Sequence, residues 1–161
     1  MSGDRTARAF WTTNHLANPV LQLLLRSPVG VRLGRHLAVL RYRGRRSGQH
    51  HELVVQYARD GATVWIVPGH SARKVWWRNL RQPSDVEVRV AGQELHGRAV
   101  ALDGNEYPDE VRRGLEIYLR QLPRAAKALG VPSSSSGAPE VELANVIKRA
   151  VVVRIDLEGD S

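Results

Sequence analysis

Residues 85–102 read DVEVRVAGQELHGRAVAL, and this stretch decides the architecture. Val86, Val88 and Val90 alternate with Glu87 and Arg89, the period-two pattern of a strand with one apolar and one charged face. Ala91-Gly92 supplies a turn, and Glu94 to Leu102 continues as the partner strand. Upstream, His36 to Arg43 is a short apolar-polar run. His51 to Tyr57 and Thr63 to Val67, rich in Val and aromatics, flank Arg59-Asp60-Gly61, where Asp-Gly tolerates the positive φ of a hairpin. Five strands joined by tight turns, with one short helical piece at Arg73 to Leu80, imply an antiparallel sheet or small barrel and argue against a Rossmann fold.

Helices surround this sheet. From about 7 to 27, Phe10, Trp11, Leu16, Val20, Leu21, Leu24 and Leu25 fall on a helical period that Asn18-Pro19 breaks. Such a basic amphipathic start fits a core-capping helix or a helix lying on a membrane. Beyond Leu102, Val111, Leu115, Tyr118, Leu119, Leu122, Ala126 and Leu129 repeat at helical spacing, with Pro123 marking a new start and Gly130 a stop. Ser133 to Gly137 reads as a low-complexity loop before a short helix (Val141 to Lys148) and a last strand (Ala150 to Leu157). The expectation is one domain over 1–161, mainly β with peripheral helices (α+β), with a helical insertion at about 105–148.

Composition narrows the chemistry. With 161 residues, 42% hydrophobic and 25% charged, the chain is long enough for a core without staples. It has no cysteine, which excludes a disulfide framework, a thiolate nucleophile and cysteine-ligated metal. Apolar stretches such as Leu23 to Leu25 and Val151 to Val153 are far shorter than the ~18 residues of a spanning helix. The first thirty residues offer no compact apolar signal segment, so a cytoplasmic location is expected. Lys and Arg total 24 against 16 Asp and Glu, a net +8, and only Lys74, Lys127 and Lys148 are lysines. An arginine excess suits an anion gripped through planar forks, and it is equally what compositional bias alone produces.

Two motifs carry candidate chemistry. Gly44-Arg45-Arg46-Ser47-Gly48, directly after the first strand, places guanidinium forks and backbone N–H groups on one turn, a cradle for phosphate or an ordinary surface turn. Pro68-Gly69-His70-Ser71-Ala72-Arg73-Lys74-Val75-Trp76-Trp77-Arg78-Asn79-Leu80 follows a strand. Its glycine permits close approach, Ser71 can cap a helix, and an indole beside a helix start can wall a flat heterocycle. One of the two tryptophans is expected in the core, and Asn79 also fits a residue that satisfies local backbone groups. His50 and His51 point to opposite faces of a strand and do not readily share a metal, so no metal site is expected. The sequence lacks G-x-S-x-G, H-E-x-x-H, a Walker loop and G-x-G-x-x-G.

The order of these motifs is similar to that of a known family. Gly-Arg-Arg-Ser-Gly after a strand, an Asp-Gly hairpin, a strand ending Val67-Pro68-Gly69, then Trp76-x-x-Asn79-Leu80 followed by Gln82-Pro83-Ser84-Asp85, resembles the deazaflavin-dependent nitroreductases of actinobacteria. Asn18-Pro19, the Gly30 to Gly34 region and the closing Val151-Val152-Val153-Arg154 extend the likeness over most of the chain. The resemblance implies a split β-barrel of the FMN-binding type with six or seven mostly antiparallel strands, and an 8-hydroxy-5-deazaflavin coenzyme (factor 420) with an anionic phospholactyl oligoglutamate tail. It implies that Arg45, Arg46, Ser47, His51 and Lys74 lie near that tail. Val67, Pro68, Gly69 and Ser71 would run along the cofactor, with Trp76 and Asn79 beside the ring. Hydride transfer to a quinone, an activated alkene or a nitro-aromatic would follow, needing no dedicated acid–base pair. His70 and Tyr118 are the candidates for a residue at the reacting centre, and Tyr107 is a further pocket candidate. The chain departs from the family pattern at His51, where relatives commonly carry Arg, and at Val54-Val55, where they commonly carry Pro-Leu.

Other readings stay open: an FMN-binding split barrel, a non-catalytic member that binds cofactor or fatty acid, and a basic barrel that binds nucleic acid. FMN, with one phosphate, needs fewer cations. Nucleic acid would call for exposed aromatics interleaved with cations, where these strands carry Val and Leu, so no nucleic-acid partner is expected. A homodimer and peripheral membrane contact through the N-terminal helix are also left open.

Overall fold

The computed structural model describes residues 36–68, 75–90, 92–131 and 140–159. By backbone contacts the chain forms two compact units, Met1–Leu37 and Ala38–Ser161, and the second carries the sheet. The expected helix at 7–27, the segment Gly69 to Lys74 and the loop Ser133 to Gly137 lie outside the described residues.

Seven strands form one sheet: β1 (Leu37–Arg43), β2 (His50–Gln56), β3 (Ala58–Asp60), β4 (Thr63–Ile66), β5 (Ser84–Val90), β6 (Gln93–Asp103) and β7 (Val151–Leu157). Their order is β2-β1-β5-β6-β7-β4-β3, with antiparallel neighbours. Among the described residues three helices accompany them: α1 (Pro108–Gln121), α2 (Ala125–Ala128) and α3 (Glu140–Arg149). A short 3₁₀ helix spans Trp76–Leu80.

The β5–β6 hairpin pairs Val86 with Gly97, Val88 with Leu95 and Val90 with Gln93, and the three valines are buried as their alternation predicts. The Asp60-Gly61 turn also forms a hairpin, but between different partners than the two long runs beside it. The short β3 pairs with β4 (Arg59 with Val64), while β2 sits at the far edge of the sheet. Only Tyr57 separates β2 from β3. Strands at opposite edges joined by one residue, a few ångströms of chain, require the sheet to curl until those edges meet.

Curling gives the sheet an inside and an outside. Leu40, Tyr42, Val55, Tyr57, Val64, Ile66, Val86, Val88 and Ile155 fill the inside, and Trp77 and Leu80 of the 3₁₀ helix pack against them. The alternate positions Trp65, Leu102 and Val152 face outward, under Val111, Leu115, Ile117 and Tyr118 of α1 and Ile147 of α3. Arg154 of β7 pairs with Glu110 of α1 and with Asp156, fixing the helix along the strand. The C-terminal residue of α1 closes an edge: Arg59 N–H donates to Gln121 Oε1 (3.1 Å) and Gln121 Nε2 donates to the Arg59 carbonyl (2.8 Å). No helix among the described residues is long and apolar enough to cross a membrane.

α1 lies close to the sheet because Gly114 has no side chain, and a Cβ there would fall 2.5 Å from Trp65 Cε3. Gly114→Ala, which in an exposed helix stabilises by about 0.5–1 kcal/mol, is expected here to destabilise by about 1–3 kcal/mol in thermal unfolding.

Candidate functional site

The site is built on the turn that leaves β1. Gly44 N–H donates to the Gln49 carbonyl (2.7 Å) and Gly48 N–H to the Gly44 carbonyl (2.9 Å), with Gly48 at φ +67°. Ser47 Oγ accepts the Gln49 N–H at 3.2 Å. A Cβ on Gly44 would sit 2.8 Å from Ser47 Oγ and 3.0 Å from His51 Nε2, so the glycine is what lets those two side chains close over the backbone. With Gly44, Arg45, Gly48 and Gln49 engaged, the Arg46 and Ser47 N–H groups at the crest have no hydrogen-bond partner among the described residues. Consecutive free amides before a left-handed glycine form an anion-binding concavity.

The second motif closes on the first. Arg45 N–H donates to Asn79 Oδ1 (3.0 Å), and Asn79 Nδ2 donates to the Trp76 carbonyl (2.9 Å), so one amide joins the arginine turn to the 3₁₀ helix. Trp77 is 6% exposed and anchors that helix in the core, with the Arg78 and Arg81 guanidinium carbons 5.8 and 5.4 Å from its ring. Trp76 is only partly buried. Its ring lies 6.1 Å from Tyr42, which in turn stacks on His51 at 5.3 Å and 26°. Tyr42, His51 and Trp76 thus make an aromatic wall below the turn, on the inner face. Burial pushes the Tyr42 hydroxyl above its ordinary value.

Arg45, Arg46, Ser47, His51, Trp76 and Asn79, far apart in sequence, are brought together here. Val67 and Pro68 are buried just beyond β4, and Val67 belongs to the outer cluster beneath α1. Gly69, His70, Ser71 and Lys74 lie outside the described residues. Tyr118, 3% exposed, packs in that outer cluster, on the opposite face of the sheet from the aromatic wall, whereas Tyr107 is exposed.

Sequence reasoning missed a cleft of about 580 Å³ beside the turn, bordered by Arg41, Tyr42, Arg43, Arg45, His50, Asn79, Glu87 and His96. The alternation of β1, with Tyr42 inside and Arg41 and Arg43 outside, was a signal that could have found it. Glu52 and Glu87 each hold Arg41 at 2.9 Å. Among the described residues, Arg43, Arg45 and Arg46 are paired with no carboxylate.

A family model described as F420H(2)-dependent quinone reductase matches residues 24–118, more than half of the chain and all of β1 to β6. No curated protein matches the sequence significantly. Among solved structures, the chain is similar to an F420-H2 dependent reductase (FDR-A), with 14% identity over 75% of this chain and 94% of that one and a TM-score of 0.54. It is also similar to the FAD and heme binding protein from Mycobacterium smegmatis, with 14% identity over 84% and 69% of the two chains and a TM-score of 0.51. Atu2129 from Agrobacterium tumefaciens, of unknown function, matches with 18% identity over 84% and 56% and a TM-score of 0.50. At such identities the structural likenesses establish the fold: a split barrel.

Two outcomes are expected from this geometry. Asn79→Ala removes both bonds of the bridge and should lower the unfolding free energy by about 1–2 kcal/mol in urea titrations. Asn79→Asp keeps the acceptor for Arg45 and should recover part of that loss. Burial also pushes the Tyr118 hydroxyl up to about 12, whereas an unfolded tyrosine ionises near ~10. The folded state therefore holds this proton longer than the unfolded chain, and the stability this contributes is present below pH ~10 and lost as pH rises from about 10 to 12. Unfolding free energy should fall by on the order of 1 kcal/mol per pH unit in that window, and Tyr118→Phe should remove this share. Tyr42 and Tyr57, also raised by burial, contribute in the same direction.

Proposed function

The chain belongs to the F420H(2)-dependent quinone reductase family, and from that premise we propose that it reduces a quinone or a similarly electron-poor small molecule at the expense of a reduced deazaflavin held against the arginine turn. The observation that carries this reading is the crest of that turn. There, two backbone N–H groups and two guanidinium groups have no hydrogen-bond or carboxylate partner among the described residues, and the turn that carries them adjoins His51 of the aromatic wall.

The residues present fit such a cofactor. Its tail carries a phosphate and several carboxylates, and Arg45, Arg46 and the Arg46 and Ser47 amides offer forked and point donors without first breaking an ion pair. Its ring system is flat and partly apolar, matching a surface made of Trp76, Tyr42 and His51 rather than of charges. The Gly44 position, closed over by Ser47 Oγ and His51 Nε2, brings donors and wall within one turn of backbone. A single-phosphate flavin would leave part of this donor set unused.

When bound, the reduced cofactor supplies a hydride, and a quinone that takes this hydride together with one proton leaves as the hydroquinone. The protein's part is placement. The arginine turn holds the charged end, so binding energy from a remote part of the cofactor fixes the position of the reacting end. Asn79 ties that turn to the backbone of Trp76, so the grip on the anion and the wall for the ring keep one geometry. Leu80 and Trp77 hold the 3₁₀ helix rigidly from beneath. Tyr118, neutral at physiological pH and packed under α1, acts in this reading as a core residue that supports the sheet.

Arg46→Ala is expected to weaken deazaflavin binding more than about tenfold, since a charge-assisted contact contributes about 1.5–3 kcal/mol. Cofactor-fluorescence titrations at low and high salt check this, and the wild-type affinity should fall as salt rises. Unchanged affinity in the variant would remove the turn from the site.

A further inference from the structure

We propose that one water molecule is held between the sheet and α1, accepting hydrogen bonds from the Trp65 indole and from Arg154 Nε, and that it completes the attachment of α1 to the barrel. The site lies on the outer face of β4 and β7, across the sheet from the aromatic wall, and is independent of any cofactor.

Two side-chain nitrogens among the described residues are buried without a hydrogen-bond partner, Trp65 Nε1 and Arg154 Nε. They are not scattered: Trp65 on β4 and Arg154 on β7 are register partners in the antiparallel ladder. Side chains paired in this way share one face of the sheet, with their Cβ atoms about 5 Å apart. Both nitrogens are donors only, since neither an indole N–H nor a guanidinium accepts. A buried donor without an acceptor is costly, and two of them side by side call for one shared acceptor oxygen.

Neighbouring side chains do not supply that oxygen. The same row of the sheet continues into Ala58 on β3 and Val100 on β6, both apolar. Above the row, α1 lays Gly114 on the Trp65 ring and Glu110, one turn earlier, against Arg154. Glu110 accepts from Arg154 Nη1 and not from Nε. Asp156 Oδ2 approaches Nε to 3.3 Å as an ion-pair partner without making a hydrogen bond to it, and Asp156 Oδ1 receives the Thr63 hydroxyl at 3.4 Å.

Charge selects the occupant. One guanidinium faces two carboxylates, Glu110 and Asp156, so the surroundings carry one net negative charge and disfavour an anion. Two N–H donors at the same place disfavour a cation. Water satisfies both conditions: its two lone pairs match the two N–H groups, and its two protons are matched by spare lone pairs on the Glu110 and Asp156 carboxylates. Ordering one such molecule costs less than leaving two donors unpaired.

The full-length protein, isotope-labelled, tests this by NMR. The Trp65 indole N–H and Arg154 Nε–H signals are followed for magnetisation transfer from the water resonance. A held water gives transfer of opposite sign in NOE and ROE experiments, whereas proton exchange with solvent gives the same sign in both. Opposite signs are expected at both signals. R154K keeps a cation for Glu110 but removes Nε, and should lose most of the transfer at Trp65 while its spectrum stays dispersed as in the wild type. The two wild-type signals decide the matter even if R154K does not fold. Transfer missing from either wild-type signal, or undiminished at Trp65 in folded R154K, overturns the proposal. An indole signal that moves and saturates as chloride is added shows an adventitious ion only, and overturns it as well.

Discussion

One residue of chain, Tyr57, connects the two edge strands of a seven-stranded sheet, and the remainder of the architecture answers to that constraint. Edges so tied must curl toward each other, so the sheet wraps around a small interior filled mostly by apolar side chains. Tyr57 itself points inward with Val55 behind it and is buried. The interior being packed, polar chemistry is confined to the rim and the outer surface. Among the described residues, helices cover the outside where β4, β6 and β7 lie, and the outer positions of β1 and β5 carry charged side chains.

At that rim, two stretches more than thirty residues apart become one structure through a single side-chain amide. Asn79 satisfies a backbone donor of the turn and a backbone acceptor of the 3₁₀ helix together, and neither end would be as well ordered alone. Rigidity at this point matters more than elsewhere, since a site that orients a planar group loses effectiveness with small displacements. The arginines above it are inexpensive to maintain: exposed and hydrated, they need no buried counter-charge in the absence of a ligand.

How much of this was legible in the sequence depended on how local the cause was. The β5–β6 hairpin announced itself because Val86, Val88 and Val90 alternate within one short run, and the apolar stripe of α1 did so through Val111, Leu115 and Tyr118. The three-residue β3 did not, since Ala58, Arg59 and Asp60 carry no strand preference and are held there by β4 and Gln121. The arginine turn was visible as a glycine-bounded motif, yet its link to Asn79 is a tertiary bond between residues 34 positions apart. The cleft beside the turn was least visible of all. It depends on Arg41 meeting a glutamate 46 positions away and on Asp85 choosing Arg98, choices made by strand register. Periodicity placed Tyr118 on an apolar stripe, but a stripe does not say which layer it faces, and the layer is the one beneath α1.

The pairing of Gln121 with Arg59 reaches beyond local stability. An edge strand with a free row of amides and carbonyls is a template on which another extended chain can add itself, the first step of runaway β-assembly. Here a carboxamide, which carries the same donor and acceptor as a peptide bond, occupies that row as a one-residue counterfeit strand. Because it is borne on a helix rather than on another strand, it ends the sheet without offering a new edge, and the barrel stops growing at the seventh strand.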